Sequence, residues 1–253
     1  MKSYYFDYQG ARLHYQIGGL QSAPVMVLLH GGFGSINDFA ALLPRLQAHY
    51  RIVAIDTRGH GQSTMGNAVL TYAQIADDAR RILQDLHIEQ YSLFGFSDGG
   101  TAAYKIGAAD NNVEAIITVG ASWHKDQLLP VRSMFKAMDA NFVQENMPEQ
   151  AAAYQAQNPQ ADLAKLTDAL KTMWLDEGEN GYPNEHMGRI QAPVLAIRGE
   201  ADFLYSLSDW VALKNELPDV HLMNVPFATH EAIKEQPEMV WAAIQAFQAG
   251  IER

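Results

Sequence analysis

The chain alternates between short runs that are apolar almost throughout and longer stretches in which apolar residues recur every three or four positions. Pro24–Leu29, Arg51–Ile55, Tyr91–Phe94, Val113–Val119 and Pro193–Ile197 are runs of the first kind. A run of that length with almost no polar interruption predicts a strand covered on both faces. Thr71–His87 is of the second kind, with Tyr72, Ile75, Ala79, Ile82, Leu83 and Leu86 on one side of a predicted helix. Asn37-Asp38 reads as the cap of a helix through about Gln47, and Leu207–Leu217 as a further helix. His221–Asn224 reads as a last strand, and Glu231 to about Ala249 as one closing helix with Ile233, Val240, Trp241, Ile244 and Phe247 on its apolar side. Ahead of all this, Ser3–Tyr8 and Ala11–Ile17 alternate about Gly10 and predict a hairpin. Strands alternating with helices imply a mostly parallel sheet with right-handed crossovers.

That rhythm stops between Ser122 and Gly188. The stretch is rich in Ala, Gln and Met, is punctuated by Pro130, Pro148, Pro159 and Pro183, and holds no buried-strand signal. It predicts a helical cap, residues 122–188, inserted into an α/β core made of residues 1–121 and 189–253. At 253 residues the chain is long enough for such a core with an insertion. A net charge of −11 argues against nucleic acid and anionic membranes as partners. The absence of cysteine removes disulfide and thiol chemistry. No run approaches the roughly 18 apolar residues of a membrane span, and MKSYYFDYQG lacks the apolar centre of a signal peptide. A cytoplasmic protein, monomeric or a small homo-oligomer, is the expectation.

The candidate chemistry sits between the third buried run and its helix. Gly95-Phe96-Ser97-Asp98-Gly99-Gly100 places a serine with glycine at both second neighbours in a strand-to-helix turn. That is the pattern of a nucleophile elbow, in which a strained turn lifts the hydroxyl clear of the sheet. A serine hydroxyl is a weak nucleophile at neutral pH and needs a base and a group that orients the base. Asp202, five residues past the run ending at Ile197, and His230, past the last strand, stand in the chain order expected of such an elbow. Asp202 is favoured as the acid over Asp126 and Glu200. Oxyanion donors are expected from the backbone of Asp98 and from Gly32 or Phe33 in the loop after Leu29. His30 and His60 have no carboxylate or histidine neighbours at ligand spacing, so no metal site is read and they are taken as loop-packing residues. Asp56 and Arg58 are expected to hold their loop by local hydrogen bonds. Trp123, Phe135, Met138 and Trp174 are the candidates to line a substrate pocket under the cap.

HGGFGS at 30–35, DTRGHGQS at 56–63, GFSDGG at 95–100, RGEAD at 198–202 and THEAIKEQPE at 229–238 together resemble the α/β-hydrolase superfamily over nearly the whole chain. The resemblance implies an eight-stranded, mostly parallel sheet with a helical cap between its sixth and seventh strands, and no metal or organic cofactor. It implies hydrolysis of a small-molecule ester through an acyl-enzyme. GFSDGG and the form of the cap are most similar to the biphenyl-hydrolase-like branch that includes valacyclovir hydrolase. In that branch the aspartate after the nucleophile, here Asp98, binds the free α-amino group of aminoacyl esters. Hydrolysis of a C–C bond or lactone by the same three groups, or a non-catalytic receptor of the same fold, are the alternatives. Ala228 stands where relatives often have glycine.

Overall fold

The structure, a computed structural model, describes residues 1–251. Its strands are β1 (Lys2–Tyr8), β2 (Ala11–Gly19), β3 (Val25–Leu29), β4 (Arg51–Ile55), β5 (Tyr91–Phe96), β6 (Val113–Val119), β7 (Val194–Gly199) and β8 (His221–Val225). Among the described residues they form one eight-stranded sheet in the order β1-β2-β4-β3-β5-β6-β7-β8. The β1–β2 hairpin and the β2–β4 pair are antiparallel; every later pair is parallel. The helices of the core are α1 (Leu43–His49), α2 (Tyr72–Asp85) and α3 (Asp98–Gly107). Between β6 and β7 come α4 (Arg132–Ala137), α5 (Ala140–Asn146), α6 (Pro148–Gln157) and α7 (Leu163–Trp174). The chain ends in α8 (Leu207–Glu216), α9 (Ala232–Glu235) and α10 (Pro237–Ile251). None of these helices is long and apolar enough to cross a membrane.

The apolar runs form strands because each has a helical layer to bury against on both sides. Alternate residues of β3 divide between two cores: Val27 and Leu29 pack with Ile75, Ile82 and Ile106 of α2 and α3, whereas Met26 and Leu28 pack with Leu46 of α1 and Val240, Ile244 and Phe247 of α10. Each such side chain taken fully out of water contributes about 1.5–3 kcal/mol. Five of the eight strands therefore need no polar face, which is why they read as uninterrupted runs.

Two helices differ from the sequence expectation. Asn37-Asp38 caps nothing: Ser35 accepts the Asn37 N–H, a 3-10 turn spans Ile36–Phe39, and α1 begins only at Leu43 with Pro44 in its first turn. Asp38 instead accepts the Gly31 N–H at 3.2 Å and pairs with Lys234 at 3.0 Å. The closing helix is also two helices, because Pro237 drives Gln236 out of the helical region to φ −132° and ψ 54°. The helical character expected from 122 to 188 is present, with a last 3-10 turn over Asn184–Arg189 running to the edge of β7.

The chain leaves β3 for β4 at its outer side, then crosses back to lay β5 on the other side of β3. In an open α/β sheet such a reversal opens a crevice at the carboxyl ends of the two strands. The loops after β3 and β5 face each other there.

Candidate active site

β5 ends at Phe96 and α3 begins at Asp98, so Ser97 alone makes the turn, at φ 50° and ψ −118°. A side chain in that region costs on the order of 1–3 kcal/mol and persists only where its surroundings enforce it. The Ser97 N–H is fixed on the Val119 carbonyl at 2.8 Å, and its own carbonyl accepts the Gly100 and Thr101 N–H groups at 2.9 and 3.1 Å. A Cβ on Gly99 would press into the Leu29 carbonyl, and one on Gly95 into the backbone of Gly99 and Gly100. Both glycines are therefore required by the close approach of α3 to the sheet.

His230 lies in the loop beyond β8, with its Nε2 2.9 Å from the Ser97 Oγ. Its Nδ1 is 2.9 Å from Oδ2 and 3.1 Å from Oδ1 of Asp202. The Asp202 side chain is fully buried and its Oδ1 also accepts the N–H groups of Leu204 and Tyr205, at 3.0 and 3.2 Å. A carboxylate held by two backbone donors keeps the imidazole proton on Nδ1, which leaves Nε2 free to accept from the serine. Asp126 lies on an exposed turn, 3.6 Å from His124. Glu200 accepts the Phe227 N–H at 3.0 Å. Neither of the competing acids is hydrogen-bonded to the imidazole.

The loop after β3 supplies backbone to the same place. Phe33 adopts φ 57°, and neither its N–H nor that of Gly32 has an acceptor among the described residues. Asp98 is the first residue of α3, where helical N–H groups lack intrahelical partners. Gly32, Phe33, Ser97 and Asp98 line one cavity of about 460 Å³, closed on its far side by Phe135, Met138, Met134 and Trp174 from the inserted helices. Trp123 does not line it. Its indole N–H donates to the Asp209 carbonyl at 3.3 Å, which turns the ring toward α8. The aromatic periodicity of the insertion marks buried residues without saying which layer they face.

Asp98 has the least expected surroundings. It is buried, and its carboxylate accepts from the Tyr72 hydroxyl at 2.7 Å and from the Trp174 indole N–H at 2.9 Å to both oxygens. Tyr182 supports this group: its hydroxyl donates to the Trp174 carbonyl at 3.1 Å. Burial raises the Asp98 carboxyl above the usual carboxylate range, and the Tyr72 and Trp174 hydrogen bonds only partly oppose it. Asp98 takes part in none of the ion pairs of the described residues. Tyr72 was legible only as an apolar position of α2. Its place directly after the helix cap Thr71, where a side chain can reach past the helix end, was the available signal.

His30 and His60 sit one loop away, with rings 5.1 Å apart. His30 Nε2 accepts the Thr57 N–H at 2.9 Å. Burial pushes His60 down to about 3. No group of three or more potential metal ligands gathers among the described residues. Asp56 and Arg58 reach further than local bonds: Asp56 touches His14, and Arg58 forms a buried pair with Asp78 of α2, Nη2 to Oδ1 2.6 Å and Nε to Oδ2 2.9 Å.

A family model described as alpha/beta hydrolase fold matches residues 24–144. A putative esterase/lipase of Haemophilus influenzae is 23% identical over 92% of this chain and 86% of its own length. The 3-oxoadipate enol-lactonase 1 of Acinetobacter baylyi is 26% identical over 96% of both chains. The chain has the α/β-hydrolase fold and is similar to that family over these residues. The sheet order and the helical insertion after β6 agree with it, as does the fold of the carboxylesterase CesB of Bacillus subtilis, superposed at a TM-score of 0.73 over 98% of this chain and 92% of that one, at 23% identity. The chain with this fold is an enzyme of the serine-hydrolase kind.

Proposed function

We propose that this protein cleaves carboxylic esters of small molecules through an acyl-enzyme on Ser97. The observation that carries the reading is the 2.9 Å contact between Ser97 Oγ and His230 Nε2, backed by Asp202 on the other ring nitrogen. In the proposed sequence Oγ attacks the acyl carbon as Nε2 takes its proton. The N–H groups of Asp98 and of Gly32 or Phe33 receive the oxyanion, each contributing about 2.7–4 kcal/mol to the transition state. His230 returns the proton to the leaving alcohol, and water then repeats the steps to free the acid. Asp202 keeps the imidazole in the required tautomer and stabilises the imidazolium. The Ser97→Ala variant is expected to lose roughly 10⁴–10⁶ of kcat and fluorophosphonate labelling at position 97. Full activity in Ser97→Ala would reject the reading.

The preferred substrates, on this proposal, are α-amino-acid esters, as in the biphenyl-hydrolase-like branch. What supports this is a buried carboxylate next to the nucleophile, at the cavity wall, held by neutral donors only. A substrate ammonium is the cation it lacks, and a charged hydrogen bond of about 1.5–3 kcal/mol corresponds to roughly a ten- to hundredfold preference. Comparing kcat/KM for an aminoacyl ester and its desamino analogue in wild type and Asp98→Asn separates the cases. An unchanged ratio removes the amine and leaves the esterase standing. Lactone hydrolysis is the second reading, favoured by the full-length likeness to an enol-lactonase; an unsubstituted lactone turned over faster than any open ester would establish it.

A further inference from the structure

A second serine, histidine and aspartate meet at the hairpin edge of the sheet, built by different strands. Ser3 lies on β1, His14 on β2 and Asp56 at the end of β4. The antiparallel register sets Tyr5 opposite His14 and Ser3 opposite Gln16, so Ser3 is the diagonal neighbour of His14 on one face. His14 Nε2 is 3.0 Å from Ser3 Oγ, and its Nδ1 is 2.7 Å from Asp56 Oδ2. These lengths are close to those around His230.

Asp56 is fixed as firmly as Asp202. Oδ1 accepts the Ile36 N–H and Oδ2 the Gln62 N–H, both at 2.9 Å. Burial would raise its carboxyl, but the His14 contact and those two donors outweigh it and hold Asp56 below the usual range. An ionised Asp56 places the His14 proton on Nδ1 and leaves Nε2 as the acceptor. Gln16 donates to Ser3 Oγ at 3.4 Å, which directs the hydroxyl proton toward Nε2. His14 itself is 1% exposed, while Ser3 is exposed. The exposed serine and the exposed Tyr5 ring both lie against this buried base.

We propose that Ser3 is a second acyl-accepting hydroxyl, activated by His14 and Asp56, that takes an acyl group from activated esters independently of Ser97. Ser3 Oγ bonds to the acyl carbon as its proton passes to His14 Nε2; the bond from that carbon to the aryloxide breaks, and the aryloxide leaves as the phenol with the His14 proton. The half-reaction should stop there. Ser3 lies in an extended edge strand, with neither an elbow nor a helix N-terminus to hold an oxyanion, so water attack on the ester is slow. Ser3 is therefore a site of modification and not of turnover.

The test uses the full chain carrying Ser97→Ala, treated with p-nitrophenyl acetate, digested and mapped by tandem mass spectrometry. The expected result is acetyl on Ser3 at least tenfold faster than on Ser22, an exposed serine with no histidine contact in the same molecule. The adduct should be removed by hydroxylamine, which distinguishes it from an amide on the neighbouring Lys2. A second variant, Ser3→Ala with Ser97→Ala, should lose the one-equivalent release of p-nitrophenolate, and His14→Gln should lower the Ser3 rate to that of Ser22. Ser3 labelled no faster than Ser22 in the folded Ser97→Ala protein overturns the proposal, and needs no further variant.

Discussion

Asp98 carries two opposed requirements on one side chain. Its charge is buried among Tyr72, Trp174 and the glycines of the β3 loop without a cation, and burial lifts its carboxyl above the usual range. A raised carboxyl means that the folded state binds the proton more tightly than the unfolded chain. The stability linked to that proton is complete below the unfolded value near 3.8 and is lost as pH rises through the higher folded value. At neutral pH the charge therefore costs stability, and its removal should return some. Asp98→Asn keeps an oxygen to accept from Tyr72 and Trp174, so it is expected to raise Tm at pH 7 by about 2–4 °C, on the order of 1 kcal/mol. That gain should shrink as the pH falls toward 4. Thermal scans at the two pH values check it, and a variant less stable than wild type at pH 7 would show that the hydrogen bonds outweigh the buried charge. The same variant is expected to lose amine preference, a local exchange of stability for function.

Elements were legible where one local signal decided them and obscure where a distant contact did. β3 to β7 could be read from their apolar runs because both faces are covered, and the elbow could be read from its glycines because α3 touches the β3 backbone there. Ser97, Asp202 and His230 were legible as types in chain order, and their convergence depends on β5, β6, β7 and β8 lying side by side and parallel, which strand periodicity does not encode. The break at Gln236 was missed because the apolar spacing continues through Pro237, and Trp123 was misplaced because burial alone does not say which side a ring faces. The attachment of the inserted helices to the sheet was equally hidden. Asn158, one residue past α6, donates its Nδ2 to the carbonyls of Gly59, Gly61 and Ser63 at 3.3, 3.1 and 2.9 Å. On the other side Lys105 of α3 donates to the Gly181 carbonyl at 2.8 Å, just before Tyr182. Asn158→Ala leaves buried carbonyls unpaired and is expected to cost about 1–3 kcal/mol. It should also speed limited proteolysis within residues 122–188 relative to the core; cleavage at the wild-type rate would mean that α6 is held by its apolar contacts alone.

Acid brings together the buried groups on both sides of the molecule, and their signs differ. His60 is buried against His30, and its pKa is pushed from 6.5 down to about 3, so the folded state holds it neutral. The unfolded chain binds that proton below pH 6.5 and the native chain does not until about 3; stability is present above 6.5 and is lost progressively as the pH falls between these values, at up to roughly 1.4 kcal/mol per pH unit. Asp56, held below the usual range, adds a loss at lower pH, beginning as the solution falls below 3.8. Asp98 acts in the opposite sense, since its protonation in the folded state relieves a buried charge. The loss at the histidine begins at pH 6.5, so the urea midpoint is expected to fall from pH 6.5 to pH 4, with the gain at Asp98 set against it. In His60→Gln the baseline stability will shift with the altered packing, but the slope of the midpoint against pH should flatten over that interval, because the replacement does not titrate. A slope equal to that of wild type would mean that His60 is reached by water and protonated in the folded protein, and the acid sensitivity would then belong to the carboxylates.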